Sequence, residues 1–241
     1  MEEFGRLTFP NSRTASPAVD GELVITRGIT SSWGAHGPAG DRFYAYDKIS
    51  GELVWSSAPG DRPQDNTFSN PYFDVWGGKR VLYSAGGDST LLALNARTGE
   101  PLWRFSFAKA GAKGGINAAL VKQGGNLIAT HESENLDSSE IGRMAAFRIP
   151  RPDEVKPTNS IIPHVFPPKT FEVWRNGVGS LASSPVVVGN RIYEVNGTGE
   201  LCCVDADSGK VLWKKKVGIE QRQSTPFYAD GYLYVAMYVT M

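Results

Sequence analysis

The sequence predicts an all-β fold built from four-stranded antiparallel sheets that repeat along the chain. Three observations support this prediction. A strand–turn–strand unit recurs with a tryptophan in its second strand, another hairpin precedes each such unit, and no amphipathic period of 3.6 residues persists over three turns. A four-stranded unit that repeats every roughly 40–50 residues is the sequence signature of a β-propeller blade.

The tryptophan hairpin has three complete copies, at 43–55, 91–103 and 201–213, and a fourth copy that is interrupted between Arg148 and Phe171. In its turn, an Asp or Asn side chain can accept main-chain hydrogen bonds, and a glycine can take the left-handed conformation. The tryptophan offers a large apolar ring to a neighbouring sheet. The repeat positions are Asp47, Gly51, Trp55, Gly99, Trp103, Trp174, Asp205, Gly209 and Trp213.

The hairpin that precedes each tryptophan unit is usually opened by proline and turned by Asp-Gly or Gly-Asn. Residues 1–241 are therefore expected to form one domain, a partial propeller with four complete blades and the start of a fifth. The predicted blades are about 14–57, 68–106, 115–176, 183–217 and, in part, 224–241. Since open ends would expose apolar sheet faces, we expect either the remaining blades of a longer parent chain or a second copy to close the ring.

A Pro-rich insertion at 149–169 explains the long interval between Trp103 and Trp174. Its six prolines exclude a strand interior, which predicts a loop or extended arm. Because it interrupts the turn between the third and fourth strands, it should project from the face opposite the long loops.

The composition argues against two classes of partner. Lys+Arg and Asp+Glu balance at 25 each, so no basic field is expected to attract nucleic acid. The longest apolar run, 232–241, is too short to span a bilayer. Residues 1–5 lack the basic and apolar segments of a signal peptide.

The long predicted loops all fall on one face of the propeller. They are 28–41 and 131–142, each between the second and third strands of a blade, and 57–69, between two blades. Long loops on a rigid scaffold are where binding residues concentrate. The predicted binding-face residues are Trp33, His36, Arg42, His131, Glu132, Asn135, Asp137, Glu140 and Arg143.

The acidic part of this set has two interpretations. Oxygens such as those of Glu132 and Asn135 can coordinate Ca²⁺, but a solvated acidic loop is the simpler interpretation and the one adopted. A histidine metal site would require most of His36, His131 and His164 to converge. No metal site and no catalytic residue is predicted, since the sequence has no phosphate-binding glycine loop, G-x-S-x-G elbow or Cys-x-x-Cys pair.

The run Asp/Asn-x-x-Ser/Thr-Gly-x-x-x-Trp after an alternating strand resembles the pyrroloquinoline quinone (PQQ) repeat family of propellers, over nearly the whole chain. Within that family the sequence is similar to uncharacterised exported propellers of the planctomycete type. The resemblance implies a bacterial protein with eight blades that is periplasmic, secreted or on the cell surface. The family includes quinoprotein dehydrogenases, which hold PQQ and Ca²⁺ in the central funnel, and a cofactor-free lipoprotein of the outer-membrane β-barrel assembly machinery.

The adjacent Cys202 and Cys203 test the dehydrogenase side of this resemblance, because alcohol dehydrogenases of the family place a disulfide between adjacent cysteines against PQQ. Here both cysteines align with interior positions of a strand, where neighbouring side chains point to opposite faces. We therefore expect buried structural thiols.

Two functional hypotheses follow. The favoured one is a non-catalytic binding or scaffold module without a cofactor, which contacts a protein or an envelope component through its long-loop face. The alternative is a fragment of a PQQ- and Ca²⁺-dependent alcohol or sugar dehydrogenase.

Overall fold

The computed structural model describes residues 15–30, 40–61, 63, 67–107, 116–131, 144–157, 161–219 and 224–236. These residues form successive sheets, four of them built on four antiparallel strands and a fifth described as two strands. The predicted all-β fold with four-stranded blades is confirmed. No helix among the described residues is long and apolar enough to cross a membrane.

Each of the first two sheets has its strands in chain order. Sheet 1 consists of β1 (Ala18–Asp20), β2 (Leu23–Thr30), β3 (Gly40–Asp47) and β4 (Leu53–Ser57). Sheet 2 has β5 (Tyr72–Trp76), β6 (Lys79–Ala85), β7 (Thr90–Asn95) and β8 (Pro101–Ser106), with β12 (His164–Phe166) added at its edge.

The later sheets repeat the plan. Sheet 3 consists of β9 (Val121–Gln123), β10 (Asn126–Thr130), β11 (Met144–Arg148) and β13 (Glu172–Asn176). Sheet 4 has β14 (Val186–Val188), β15 (Arg191–Val195), β16 (Glu200–Asp205) and β17 (Val211–Lys216). Sheet 5 is described as β18 (Phe227–Ala229) and β19 (Tyr232–Tyr234). The first strand β14 contacts the first strands on either side of it, β9 and β18, as expected where blades converge.

Tight turns of two kinds meet at one end of each sheet, which we call the turn face. The turn between the third and fourth strands of sheet 1 bonds to the turn between its first and second strands, since the Lys48 N–H donates to the Glu22 carbonyl at 2.9 Å. Sheet 2 makes the same bond from Ala96 to Arg80 at 2.9 Å. The opposite end, where β2, β6, β10 and β15 finish, is called the loop face.

The third–fourth turn of sheet 1 shows why the repeated motif forms a hairpin. Asp47 Oδ1 accepts the N–H groups of Ile49 at 2.9 Å and Ser50 at 2.7 Å. Gly51 then has φ +73°, in the left-handed region where an L side chain is strained. Gly99 and Gly209 have φ of +74° and +70° at the same place.

Tryptophans close two of the seams between sheets. The Trp55 ring of sheet 1 lies against Gly99 of sheet 2, so closely that a Cβ on Gly99 would stand 2.5 Å from Trp55 Cε3. Trp174 of sheet 3 lies in the same way against Gly209 of sheet 4, where a Cβ would approach Trp174 Cδ2 at 2.4 Å. Both rings are more than nine-tenths buried. Both seams therefore require glycine at this position, because it has no side chain and because it can adopt a positive φ.

Side-chain-to-backbone hydrogen bonds also recur between sheets, just before each first strand. The Ser16 N–H donates to Asn70 Oδ1 at 2.9 Å, and the Ala119 N–H donates to Ser184 Oγ at 2.8 Å. The Ser184 N–H in turn donates to Thr225 Oγ1 at 3.1 Å. Sheets 2, 4 and 5 thus each bind the segment that enters the sheet before them.

Trp103 is also fully buried, but its contacts differ from those of Trp55 and Trp174. The turn of sheet 3 that would present a glycine to it is replaced by the insertion, and the ring instead stacks on Phe105 at 5.5 Å between centroids. The surrounding cluster includes Phe147 of sheet 3 and Phe166 and Phe171 at the end of the insertion.

The insertion does not project as an arm, so that prediction was wrong. Its residues fold back over sheet 2, and we call the described parts, 149–157 and 161–169, the strap. Trp76 Nε1 donates to the Pro150 carbonyl at 2.6 Å, and Pro152 lies over Gly77. Residues His164–Phe166 pair in parallel with β8, and prolines at 163 and 167 bound this edge strand. Proline is tolerated at the ends of an edge strand, which reconciles the composition with the structure.

Two further expectations need correction. The first predicted loop is shorter than 28–41, because β2 and β3 remain paired up to Thr30 opposite Gly40. Trp213, expected at a seam, is 43% exposed, and no third–fourth turn covers it among the described residues.

Gly99→Ala is expected to lower the free energy of unfolding more than Gly51→Ala does. Both glycines have nearly the same φ, but a Cβ at Gly51 meets nothing within 4 Å, whereas at Gly99 it meets Trp55. The left-handed conformation should cost both variants about 1–2 kcal/mol, and overpacking should cost Gly99→Ala about 1–3 kcal/mol more. Urea unfolding followed by tryptophan fluorescence measures the difference, and equal losses would contradict the seam assignment.

Candidate functional site

Most of the predicted binding-face residues lie outside the described residues. These are Trp33, His36, Glu132, Asn135, Asp137, Glu140 and Arg143. The described residues on either side of them belong to the loop face: Thr30, Gly40 and Met144 are strand ends, and His131 directly follows β10.

The two predicted residues that the structure describes differ in exposure. Arg42 lies on β3, not in a loop, and its side chain is exposed. His131 is buried at the end of β10, where its ring meets Phe107 edge-on at 4.5 Å between centroids. Of these two, only Arg42 is accessible to a partner.

Sequence reasoning missed a buried ion pair below the loop face, at the seam between sheets 1 and 2. The Arg27 guanidinium donates two hydrogen bonds to the Asp41 carboxylate, at 2.7 and 2.5 Å, and both side chains are at least 95% buried. A third bond runs across the seam from Arg27 Nη1 to the Ala85 carbonyl at 2.6 Å. The Gly87 N–H donates back to Asp41 at 3.2 Å. The pair therefore fixes the loop-face ends of two sheets to each other.

A second buried carboxylate, Asp88, organises the neighbouring turn. It accepts hydrogen bonds from Thr90 Oγ1 at 2.5 Å and from the Asp61 N–H at 2.8 Å. Arg104 pairs with Asp61 at 2.8 Å and lies 3.6 Å from Asp88. These contacts tie the segment after sheet 1 to the turn between β6 and β7.

Glu194 is fully buried at the seam between sheets 3 and 4. Burial disfavours its charged form and raises the pKa of the carboxyl well above its ordinary value of 4.5. Ser183, the Val195 amide and Thr130 oppose this shift in pKa, yet neither carboxyl oxygen has a hydrogen bond of normal geometry among the described residues. The surroundings of this carboxyl therefore disfavour its charged form.

Cys202 and Cys203 are both buried free thiols, as the strand register predicts. Cys202 packs with Ile128 and Trp174 of sheet 3, and burial raises the pKa of its thiol to about 11. Such thiols are poor nucleophiles at neutral pH, which is consistent with structural roles.

The described residues bring no three His, Cys, Asp or Glu side chains together as potential metal ligands. His164 lies on the strap, where its Nδ1 accepts the Lys156 N–H at 2.7 Å, and His131 lies at the end of β10. Among the described residues, the Arg27–Asp41 pair and the Asp88 contacts hold the base of the loop face together, and Arg42 is exposed beside it.

Comparison with protein families identifies the repeat. A family model described as outer membrane protein assembly factor BamB matches residues 5–165 and again 158–238. The chain belongs to the PQQ-like β-propeller family. Comparison with curated proteins gives no match.

Solved structures share the fold at low sequence identity. BamB from Moraxella catarrhalis superposes with a TM-score of 0.59 at 18% identity, over 90% of this chain and 56% of that one. The quinohemoprotein alcohol dehydrogenase ADHIIG from Pseudomonas putida HK5 gives 0.54 at 14% identity, over 91% of this chain and 43% of that one. The chain thus spans about half the length of these propellers, and the likeness shows the fold alone.

Asp41→Asn is expected to lower the free energy of unfolding by about 3 kcal/mol, because it leaves the Arg27 guanidinium buried without a counter-charge. Glu22→Gln is the matched control, since the Lys48–Glu22 pair at 3.3 Å is largely exposed and should contribute less than about 1 kcal/mol. Urea unfolding measures both values. A loss as small for Asp41→Asn as for Glu22→Gln would show that the pair does not brace the seam.

Glu194→Gln is expected to flatten the pH dependence of stability. Above the unfolded pKa of Glu194, the folded chain retains a proton that the unfolded chain has released. The free energy of unfolding therefore falls by about 1.4 kcal/mol per pH unit until the raised pKa is reached. The glutamine variant lacks this loss, so its stability relative to the wild-type chain should rise as the pH increases above the unfolded pKa of Glu194.

Glu200→Gln provides a control, because its effect on the pH dependence of stability should have the opposite sign. A hydrogen bond from Asn196 lowers the pKa of Glu200, so its contribution is present above its unfolded pKa and is lost as the pH falls. The glutamine variant should be less stable at neutral pH. Parallel pH profiles of the wild-type chain and Glu194→Gln would contradict a raised pKa for Glu194.

Proposed function

We propose that this chain is a non-catalytic propeller module that binds a protein partner through its loop face, in a bacterial cell envelope. The observation that supports this most is the family match, which covers nearly the whole chain and carries the description of an outer membrane protein assembly factor. Such a description concerns action on other proteins rather than chemistry on a small substrate.

The structure of the loop face is compatible with this function. Arg27–Asp41 and the Asp88 contacts fix its base across the seam between sheets 1 and 2. Binding loops need such a rigid base, because ordering them on binding costs conformational entropy. The predicted binding residues follow directly from this base in the chain, and Arg42 on β3 adds an exposed cation beside it.

The alternative is a PQQ- and Ca²⁺-dependent dehydrogenase, which the fold likeness to the quinohemoprotein alcohol dehydrogenase favours. Ca²⁺ needs six to eight oxygen ligands. Among the described buried carboxylates, Asp20 pairs with Arg80 and Arg97, and Asp41 pairs with Arg27. Asp88 accepts hydrogen bonds from Thr90 and Asp61, and burial disfavours the charged form of Glu194. The described residues therefore do not fit a calcium–quinone site, and we derive no reaction step through one.

A photo-reactive amino acid at His36 or Asn135 should crosslink to a protein in cells that express the chain naturally. The same group at Ser50 or Ser208, in exposed turns of the turn face, is the matched control and should give no such product. Mass spectrometry identifies the crosslinked protein. Crosslinks of equal yield from both faces, or from neither, would contradict binding through the loop face.

The same chain, mixed with PQQ and Ca²⁺, distinguishes the alternative. Under the binding proposal, no quinone absorbance co-elutes with the protein and no dye-linked alcohol oxidation develops. Stoichiometric uptake with oxidation would overturn the non-catalytic proposal.

A further inference from the structure

The outer edge of sheet 1 resembles an edge of sheet 2 that already carries an added strand. In sheet 2, β12 of the strap lies parallel to β8, with His164, Val165 and Phe166 opposite Trp103, Arg104 and Phe105. In sheet 1, β4 is the terminal strand, and no further strand pairs with it among the described residues. An unpaired edge presents main-chain N–H and C=O groups to any extended chain that can reach them.

The two edges are equivalent in register. Trp55 and Trp103 lie opposite Ala45 and Ala93, and both strands shift register at that point. Residues 55–57 of β4 therefore correspond to residues 103–105 of β8, the stretch that β12 covers. A segment added to β4 in the same way would lie beside 55–57.

A groove of about 640 Å³ is present at this place. Ser56 and Ser57 of β4 form one wall, Thr98 and Glu100 of the sheet 2 turn close its turn-face end, and the strap contributes Ile161, whose side chain is 74% exposed. Arg42 also lines it, near the loop-face end of β4. The groove thus combines an unpaired strand edge, the exposed apolar side chains of Ile161 and Ala58, and opposite charges.

The charged residues at the two ends of the groove favour one orientation of a bound segment. The strand β4 runs from the turn face to the loop face, so a parallel segment would begin near Glu100 and finish near Arg42. Glu100 is 38% exposed and lies 3.7 Å from the half-exposed Lys79, while no ion pair to Arg42 is found among the described residues. A basic residue at the start and an acidic residue at the end of the segment would complement these charges.

We propose that this groove binds an extended segment of a partner protein, which adds to β4 as a parallel strand. The segment has a basic residue at its N-terminal end, an acidic residue at its C-terminal end and an alternating apolar stretch between them. Main-chain hydrogen bonds provide the attachment, and Ile161, Arg42 and Glu100 select the sequence. This surface is the outer edge of sheet 1, and its occupation does not depend on binding at the loop face.

Binding of two labelled peptides to the full chain, followed by fluorescence anisotropy, tests the proposal. The first peptide is Lys-Ile-Thr-Val-Thr-Ile-Glu, and the control, Glu-Ile-Thr-Val-Thr-Ile-Lys, has the same composition with its end charges exchanged. The first should bind about tenfold more tightly, because two attractive pairs replace two repulsive ones. In the double variant Arg42→Glu, Glu100→Lys, the preference should invert.

A third peptide keeps the first sequence but carries N-methyl groups on alternate residues, on the edge that faces β4. It should not bind, because it cannot donate to the strand. Equal binding of the first two peptides, an uninverted preference or full binding of the methylated peptide would overturn the proposal. Self-association of the chain that Arg42→Glu abolishes would show that a second copy fills the groove, which would also overturn it. Loop-face crosslinks at His36 or Asn135 are a separate measurement, so either proposal can fail alone.

Discussion

The structure depends on one steric constraint, the contact between a tryptophan of one sheet and a glycine of the next. At Gly99 and Gly209 the space that a Cβ would occupy is filled by the Trp55 and Trp174 rings. The same glycines close their own hairpins with positive φ. A single residue therefore determines both the turn within a sheet and the distance to its neighbour. Hairpin formation and sheet stacking are coupled, as expected of a repeat protein whose units are stabilised by their neighbours.

All of these tryptophans stabilise a seam by burying the indole ring, whereas their N–H groups do not all form a hydrogen bond. Trp174 Nε1 donates to the Ala206 carbonyl at 2.8 Å, whereas the buried indole nitrogens of Trp55 and Trp103 have no partner among the described residues. An unpaired buried donor is unfavourable, so the burial of apolar ring area must outweigh it. Where the insertion removes the glycine turn, Phe166 of the strap and Phe171 just after it join the cluster around Trp103. The seam between sheets 2 and 3 therefore remains packed although its glycine turn is absent.

The sequence was sufficient for features determined by local spacing and insufficient for those determined by distant contacts. Hairpins are local, so alternation and the turn glycines predicted the sheets. The prolines of the strap limited the secondary structure that this segment can form but did not indicate where it packs. Its position depends on a contact with Trp76, which is 74 residues from Pro150 in the chain. The Arg27–Asp41 pair could have been predicted. Arg27 continues the buried alternation of Leu23 and Ile25, and a charge on that side of a strand requires a partner.

The polar residues at the seams vary while the apolar contacts repeat. Strand registers place Arg27 of β2 in correspondence with Thr130 of β10, and Ser84 of β6 with Glu194 of β15. One seam therefore holds an arginine hydrogen-bonded to a serine, and the other holds a threonine near a buried carboxyl whose pKa is raised by burial. Because the tryptophan–glycine contact already fixes the spacing, these positions can change their chemistry without changing the fold. The same reasoning applies to the strand edges and the loop face, which the repeat does not constrain, so the proposed binding surfaces can vary in chemistry without a change of fold.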